Sequence, residues 1–481
     1  MLTPAAAQSL TDQLAELFAQ RIRTRLLAAG ARLPSVRHCA QTQGVSPSTV
    51  VAAYDRLQAQ GLVLARRTRG FYVRDAVASA SPVAARQPGG ETRRAPLNAT
   101  ALIRGMFHRP SDKPQPGMGV FPPDWLESSF LVAAVRRFSS TQALQALSLQ
   151  YGEPAGDKGL RESLSGKLHS LHIPATPEQI ITTVGATHAL DIVSRTLLRA
   201  GDTVMVEEPG WAIEFARLDA LGMRILPVPR RADGPDLEVM ARYCAAHAGS
   251  PQAPKLFVSV SVLHNPTGHS LAPGAAHRVL QLANQHNFFV LEDDTYSHLA
   301  SEQATRLCAL DGLQRSIYVS GFSKILAPNW RVGYLAAPQA LMERLLDTKM
   351  LTTLTTPALL EKAVAWCIDQ GQLRRHAERI RTRLDAARAR SVKLALAHGC
   401  TFAAEPAGLF GWVDAGVDTD ALAQALLDRG YLLAPGSLFH ARRQASTLMR
   451  INFATTQEAA FWKVFARERD SALGRATRRC V

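Results

Sequence analysis

Lys324 stands in the stretch SGFSKILAPNWRVGY, residues 320–334, among small, apolar and hydroxyl side chains, with Arg331 seven positions on. The run SIYVSGF before it reads as a strand, which places the amine at the strand's C-terminal edge, where α/β folds bind ligands. A lysine partly desolvated at such a place loses pKa and forms a Schiff base with an aldehyde, whereas a solvated surface lysine does neither. Asp293, in EDDTY after the strand FFV, could sit beside a pyridine nitrogen and keep it protonated, which makes the ring an electron sink. Tyr296, three residues on, and Asn265 in SVLHNPTG could hydrogen-bond a phenolic oxygen, and Asn265–Pro266 is a peptide that can be cis. In VGATHALD, Gly185, Ala186 and Thr187 fall at a helix N-terminus, a natural phosphate cradle. Ser323 and Arg331 could complete it, the arginine by bidentate geometry. Trp211, in EEPGW just after a strand, could stack on a flat ring.

The elements that would position these groups alternate. QIITTV, DTVMVEEP, KLFVSVSV, FFVLEDD, SIYVSGF and VGYLAAP read as strands, separated by amphipathic helical stretches such as ATHALDIVSRTLLRAG and PGAAHRVLQLANQHN. Short apolar strands alternating with helices imply a mainly parallel sheet covered on both faces. From about residue 365 the pattern becomes a long basic helix followed by the short strands GLFGWVDA and LMRINFA, the signature of a smaller α/β lobe extending to about 475. The pieces, in this order, resemble the fold-type I pyridoxal-phosphate proteins of the aspartate aminotransferase class over roughly residues 115–470. The resemblance implies that Lys324 bonds the aldehyde of pyridoxal 5'-phosphate, that Asp293 pairs with its ring nitrogen, and that Asn265 and Tyr296 contact its ring hydroxyl. It further implies that Ala186, Thr187, Ser323 and Arg331 hold the phosphate, that Tyr151 in YGEPAGDKGLRESL reaches the phosphate of a partner subunit, and that Arg450 in LMRINFA clamps a substrate carboxylate. One departure stands out: the position three before the lysine, which usually bears a phosphate-binding hydroxyl, is Gly321, with Ser320 beside it. Either phosphate affinity is reduced or Ser320 substitutes. His264 is either a contact at the site edge or a packed histidine, and no metal-ligand pattern involves His169, His172 or His188.

The N-terminal region asks a different question. The segment LPSVRHCAQTQGVSPSTVVAAYDRLQAQGLVLARRTRGFYVR opens a short helix at Pro34–Ser35, stops it at Gly44, caps a second helix with Ser46 and Pro47, and ends in a hairpin around residues 68–70. Val50, Ala53, Tyr54 and Leu57 share one face of the second helix. Helix, turn, helix and basic hairpin make a winged helix-turn-helix, whose second helix enters the major groove. Ser46, Ser48 and Thr49 stand at that helix start, and Arg37, Arg66, Arg67 and Arg69 supply phosphate or base contacts. The segment resembles the GntR family in its LPS-x-R, G-V-S-x-x-T and G-L…R…G-x-Y-V elements.

Composition agrees with both halves. The chain has 481 residues, 47% hydrophobic and 20% charged, with a formal charge of +15. Residues 1–115 hold 16 Lys/Arg against six Asp/Glu, so ten of the fifteen excess charges lie in under a quarter of the chain, an asymmetry that points to a nucleic-acid-facing arm, although charge alone does not distinguish it from a solvated basic surface. Neither a secretory signal nor a membrane span is apparent, and six scattered cysteines suggest neither zinc nor a disulfide framework, so a reducing cytoplasm is expected. The domains read as a winged helix-turn-helix at 8–75, a linker rich in Ala, Pro, Ser and Arg at 76–115, and an aminotransferase-like domain at 116–475.

Together the halves resemble the MocR subfamily of GntR transcription regulators. That resemblance implies a DNA-binding regulator whose pyridoxal-phosphate domain senses an amino acid or amine, or the cofactor itself. It also implies a head-to-tail homodimer, with each winged helix near the partner's large domain. Two other readings stay open: a working aminotransferase for an amino acid and a 2-oxo acid that carries a DNA-binding unit, and a DNA-binding protein whose large domain is only a dimer scaffold. The effector, the operator and the sign of regulation are not legible in the residues.

Overall fold

The computed structural model describes residues 8–66, 70–74, 104 and 111–477. Arg67 and Arg69, the tip of the expected hairpin, lie outside the described residues, as does most of segment 76–115.

Helices α1 (Leu10–Arg23), α2 (Val36–Gln43) and α3 (Pro47–Ala59) begin where short polar side chains satisfy their first free N–H groups: Ser9 accepts from Asp12, Ser35 from His38 and Ser46 from Thr49. Gly44 ends α2 at φ +68°, a conformation costly for residues with a Cβ. Strands β1 (Val63–Arg66) and β2 (Gly70–Val73) pair antiparallel as the wing. The core is built on Tyr54, whose ring meets Phe18 and Phe71 edge-on at 5.6 and 5.1 Å and whose hydroxyl donates to the Pro34 carbonyl at 3.0 Å.

In the large lobe, seven strands run in the order β3 (Ile180–Val184), β9 (Val332–Ala336), β8 (Ser316–Gly321), β7 (Phe289–Asp293), β6 (Pro254–Ser259), β4 (Thr203–Glu208), β5 (Arg224–Pro229). All neighbours from β5 to β8 are parallel, and β9 alone runs against both β3 and β8. Alternation along each strand divides the core. Val204, Leu256 and Leu291 join Leu190 and Val193 on one face, while Met205, Phe257 and Val290 join Val279 and Met240 on the other. Both faces are therefore buried, and polar chemistry is confined to the strand ends.

The long helix Gln372–Ala397 leads into the small lobe, where β10 (Thr401–Phe402), β11 (Phe410–Asp414), β13 (Leu448–Asn452) and β12 (Ala434–Pro435) form an antiparallel sheet. Residues 111–121 cross from the winged helix's side to this lobe, with the Pro116 carbonyl accepting from Asn452 N at 2.9 Å. Arg21 of α1 pairs with Asp428 at the end of helix Thr419–Asp428.

Tyr54→Ala removes a ring with no exposed surface from the small N-terminal core. Native-state hydrogen exchange of α1–α3 is expected to lose about 3–5 kcal/mol of protection, with β6–β8 unchanged.

Candidate functional site

The C-terminal ends of β7 and β8, the glycine-capped helix Ala186–Leu197 and β13 converge on one cleft. Lys324 follows β8 directly. Its residue is half-buried, but the amine is enclosed and donates to the Gly119 carbonyl at 2.7 Å. Burial, with Arg450 and Arg331 adding repulsion, lowers its pKa to about 8, against a smaller opposing pull from Asp293. Asp293 ends β7, and its Oδ1 accepts from the Thr295 backbone at 3.0 Å and from the Thr295 hydroxyl. Burial raises its pKa to about 6, with Glu214 and Asp294 adding to the effect and Thr295 opposing it. A cationic ring nitrogen beside this carboxylate would return it to the ionised form.

Asn265, in a cis peptide with Pro266, is buried between two partners: its Oδ1 accepts from Arg450 Nη1 at 3.0 Å, and its side chain hydrogen-bonds the Tyr296 phenol. Trp211 caps the helix Ala212–Ala220 and lines a pocket together with Asp293, His264, Val258 and Glu207. His264 is a packed residue of that pocket wall: its Nδ1 pairs with the Thr267 hydroxyl at 2.9 Å, and burial holds the imidazole neutral.

The phosphate cradle is assembled from both sides of β9. Gly185 caps the helix Ala186–Leu197 at φ +80°. The positive φ favours glycine, and a Cβ there would lie 2.4 Å from Arg331 Nη2 and push the guanidinium away from the helix end. Arg331 itself is exposed, donating to Ser323 Oγ and to the Val184 carbonyl, both at 3.0 Å. Its guanidinium and Ser323 lie at the positive end of the helix, beside the first N–H groups at Ala186 and Thr187. Ser320 does not substitute for the missing hydroxyl. Its side chain is fully buried and donates to the Asp294 carbonyl at 2.9 Å, because adjacent strand residues point to opposite faces. Gly321 is the position that borders the cradle, where a Cβ would lie 3.4 Å from Ala186 N.

Arg450, on β13, is 4% exposed. Its guanidinium lies 4.4 Å from the Phe410 ring centroid and 5.2 Å from that of Phe439, and donates to the Gly117 carbonyl at 2.6 Å. Burial lowers its pKa to about 10, partly offset by Tyr296. The strap Gly117–Met118–Gly119 thus presents one carbonyl to Arg450 and another to Lys324. Sequence reasoning missed it; the two glycines in GMGV, just past a Pro-rich stretch, were the available signal. Thr295 was missed too, a hydroxyl two residues after the carboxylate it holds.

Tyr151 is not brought to the cluster; it stands 82% exposed. At the other end of the chain, Arg37, Ser46, Ser48 and Arg66 are exposed and Thr49 half-buried. The Arg66 guanidinium lies 4.8 Å from the Tyr72 ring centroid.

The residues present fit pyridoxal phosphate: an enclosed amine, a carboxylate with a raised pKa at the neighbouring strand end, an aromatic side chain, and a helix N-terminus flanked by Arg331 and Ser323. Among the described residues no cluster of His, Cys, Asp and Glu could hold a metal ion.

Residues 126–464 match the aminotransferase class I and II family, and residues 10–73 match the gntR family of bacterial regulatory proteins. The chain is 26% identical over 449 residues to the uncharacterized HTH-type transcriptional regulator YisV of Bacillus subtilis, covering 89% of each. It is 28% identical over 373 residues to the probable rhizopine catabolism regulatory protein MocR of Rhizobium meliloti, covering 75% of this chain and 73% of that one. The structure of LysN, an α-aminoadipate aminotransferase from Thermus thermophilus, superposes at a TM-score of 0.70 with 22% identity, covering 79% of this chain and 96% of that one, which establishes the fold.

A lysine of pKa about 8 captures an aldehyde through its neutral amine. Colour development after adding pyridoxal phosphate to the cofactor-free protein should therefore accelerate about tenfold per pH unit below about 8 and level off above it. A rate still climbing at pH 10 contradicts the enclosed amine. Lys324→Ala should leave the protein colourless.

Proposed function

From a chain that belongs to the aminotransferase class I and II family and carries a gntR-family domain at residues 10–73, we propose a MocR-type DNA-binding regulator that senses an amino acid or amine through pyridoxal phosphate. The observation that carries the reading is that a desolvated amine, Lys324, and a buried guanidinium, Arg450, converge on one cleft in a chain that also presents an open DNA-reading helix. Pyridoxal phosphate supplies, when bound, an aldehyde that bonds primary amines and a ring that draws electrons from the bonded carbon.

The chain's own groups have separate tasks. Asp293 holds a proton at the ring nitrogen, and Thr295 fixes the carboxylate that does so. Asn265 and Tyr296 bond the ring hydroxyl. Trp211 covers the ring face. Ala186, Thr187, Ser323 and Arg331 hold the phosphate. Arg450 takes the effector's carboxylate bidentately, trading the Gly117 carbonyl for it. Lys324, with its amine free, would serve as a base toward the effector's Cα proton.

In the winged helix, Ser46, Ser48 and Thr49 read base edges while Arg37 and Arg66 contact phosphates, with Arg67 and Arg69 proposed alongside them at the wing tip. A second copy of the chain belongs to this reading. Tyr151, 82% exposed, is proposed to reach the phosphate held by the partner subunit.

One observation favours a second reading, transamination: Asp293, Lys324 and Arg450 are all present and placed about the same cleft. Absorbance of the protein with pyridoxal phosphate, scanned against the twenty amino acids and common amines beside a gel shift on its own upstream DNA, separates the two. A compound that changes both without keto product marks a sensor. Steady turnover without a DNA effect marks an aminotransferase. Arg450→Ala is expected to weaken a carboxylate-bearing effector by about 2–5 kcal/mol in the spectral titration. Arg37→Ala should weaken DNA binding with the absorbance unchanged.

A further inference from the structure

Three consecutive acids stand at the end of β7: Glu292, Asp293 and Asp294. Neighbouring like charges oppose one another's ionisation unless the fold separates or compensates them. Strand alternation separates them. Glu292 and Asp294 turn to the face opposite Asp293, which lines the pocket with Trp211. Both then meet one short segment, residues 306–308. Glu292 Oε1 accepts from Leu307 N at 2.7 Å and Oε2 from Cys308 N at 2.8 Å, with Ser261 Oγ also donating to Oε1. Asp294 Oδ2 accepts from Arg306 Nε at 2.6 Å and from the Tyr318 hydroxyl at 2.9 Å.

The Arg306–Asp294 pair is sealed, with no exposed surface on either side chain. Arg306 is fixed by its own loop, its Nη1 donating to the Glu302 and Ala304 carbonyls at 3.0 and 3.1 Å. Asp294 is fastened to β8, the strand that leads to Lys324. Its backbone N donates to the Val319 carbonyl at 2.8 Å, and its carbonyl accepts from Ser320 Oγ at 2.9 Å. The other ionisable groups acting on Asp294 are Lys167 of helix Lys158–Ser170, Tyr334 of β9, and Glu292 and Asp293 of its own strand. Among the described residues, Arg306 is the cation that forms an ion pair with it.

A buried ion pair is a poor device for stability, because well-packed apolar residues of the same volume serve as well. Its place beside Asp293 gives this one another use. Burial is the main cause of the raised pKa of Asp293, and the Asp294 charge adds to it. At Asp294 burial again raises the pKa, and Arg306 is the strongest opposing influence. An uncompensated carboxylate at 294 would oppose negative charge on Asp293, the nearer group, more than it favoured positive charge on a ring nitrogen beyond it. A proton shared between that nitrogen and Asp293 would then pass to the carboxylate, and the ring would draw electrons less strongly.

We infer that Arg306 is a positioning residue for the cofactor's proton: by compensating Asp294 it leaves Asp293 ionised, and so keeps the proton on the ring nitrogen of bound pyridoxal phosphate. The inference rests on the part proposed above for Asp293. Arg306 lies on the far face of β7 and acts only through Asp294 and Asp293.

The test uses the full-length protein loaded with pyridoxal phosphate isotopically labelled at the ring nitrogen, whose NMR shift reports the proton directly, at neutral pH. Wild type should show a protonated nitrogen. Arg306→Gln, which replaces the cation by a neutral amide, should move the shift at least halfway to that of the neutral ring. Arg306→Lys, which keeps the charge, should hold the wild-type shift. Arg306→Gln combined with Asp294→Asn removes both charges and should return the nitrogen to its protonated shift, whereas a purely structural part for Arg306 makes the double variant no better than the single one. An unchanged shift in Arg306→Gln overturns the inference. So does a neutral nitrogen in Arg306→Lys or in the double variant, so the outcome does not hang on one variant folding. Asp293→Asn separates the two readings. A protonated nitrogen in that variant overturns the part proposed for Asp293 and the inference with it. A neutral nitrogen there, beside an unchanged shift in Arg306→Gln, overturns the inference alone.

Discussion

Two desolvated cations facing one glycine strap set the terms for the rest of the structure. Lys324 and Arg450 come from different lobes, and among the described residues neither forms an ion pair with a carboxylate; each is held by a backbone carbonyl of Gly117–Gly119. A neutral carbonyl compensates a buried cation less well than an anion does. Both pKa values are accordingly lowered, to about 8 and about 10. The cleft is therefore poised for what would relieve it: an aldehyde that consumes the neutral amine, and a carboxylate that pairs with the guanidinium. The parallel sheet supplies the rigid floor by placing Asp293 and Lys324 at neighbouring strand ends, and the small lobe supplies Arg450, whose guanidinium lies against the Phe410 and Phe439 rings.

The same strap is also held from outside the cleft. It begins where the segment from the winged helix ends, and its hydrogen bonds run into the turn that also seats Arg21.

Much of the site was legible because its chemistry needs particular side chains at strand ends. A lysine after one strand, a carboxylate at the end of the next, and an Asn-Pro and a glycine-capped helix in register leave few other purposes, and strand alternation fixes which face each residue takes. The winged helix was legible for a different reason: caps and turns are local, and Ser35, Gly44, Ser46 and Pro47 punctuate it in sequence. What escaped depends on long-range contact. The strap is two glycines whose role exists only because β13, more than three hundred residues later, packs against them. Arg21 and Asp428 are 407 positions apart and look like surface charges until the fold buries them. Ser320 was an open alternative that the two-residue period of β8 closes, by turning its hydroxyl toward Asp294. Tyr151 has no role a single chain can display.

The central claim is that the cleft and the DNA surface are thermodynamically linked. Linkage is reciprocal: if an effector changes operator affinity by some factor, the operator changes effector affinity by the same factor. The deciding measurement is a spectral titration of the pyridoxal-phosphate-loaded protein with its amino-acid or amine ligand, repeated with saturating operator DNA. The account predicts that the midpoint shifts, by the factor found when operator affinity is measured with and without that ligand. An unchanged midpoint, with keto acid accumulating equally in both titrations, would contradict it and leave an aminotransferase with a passenger DNA-binding unit.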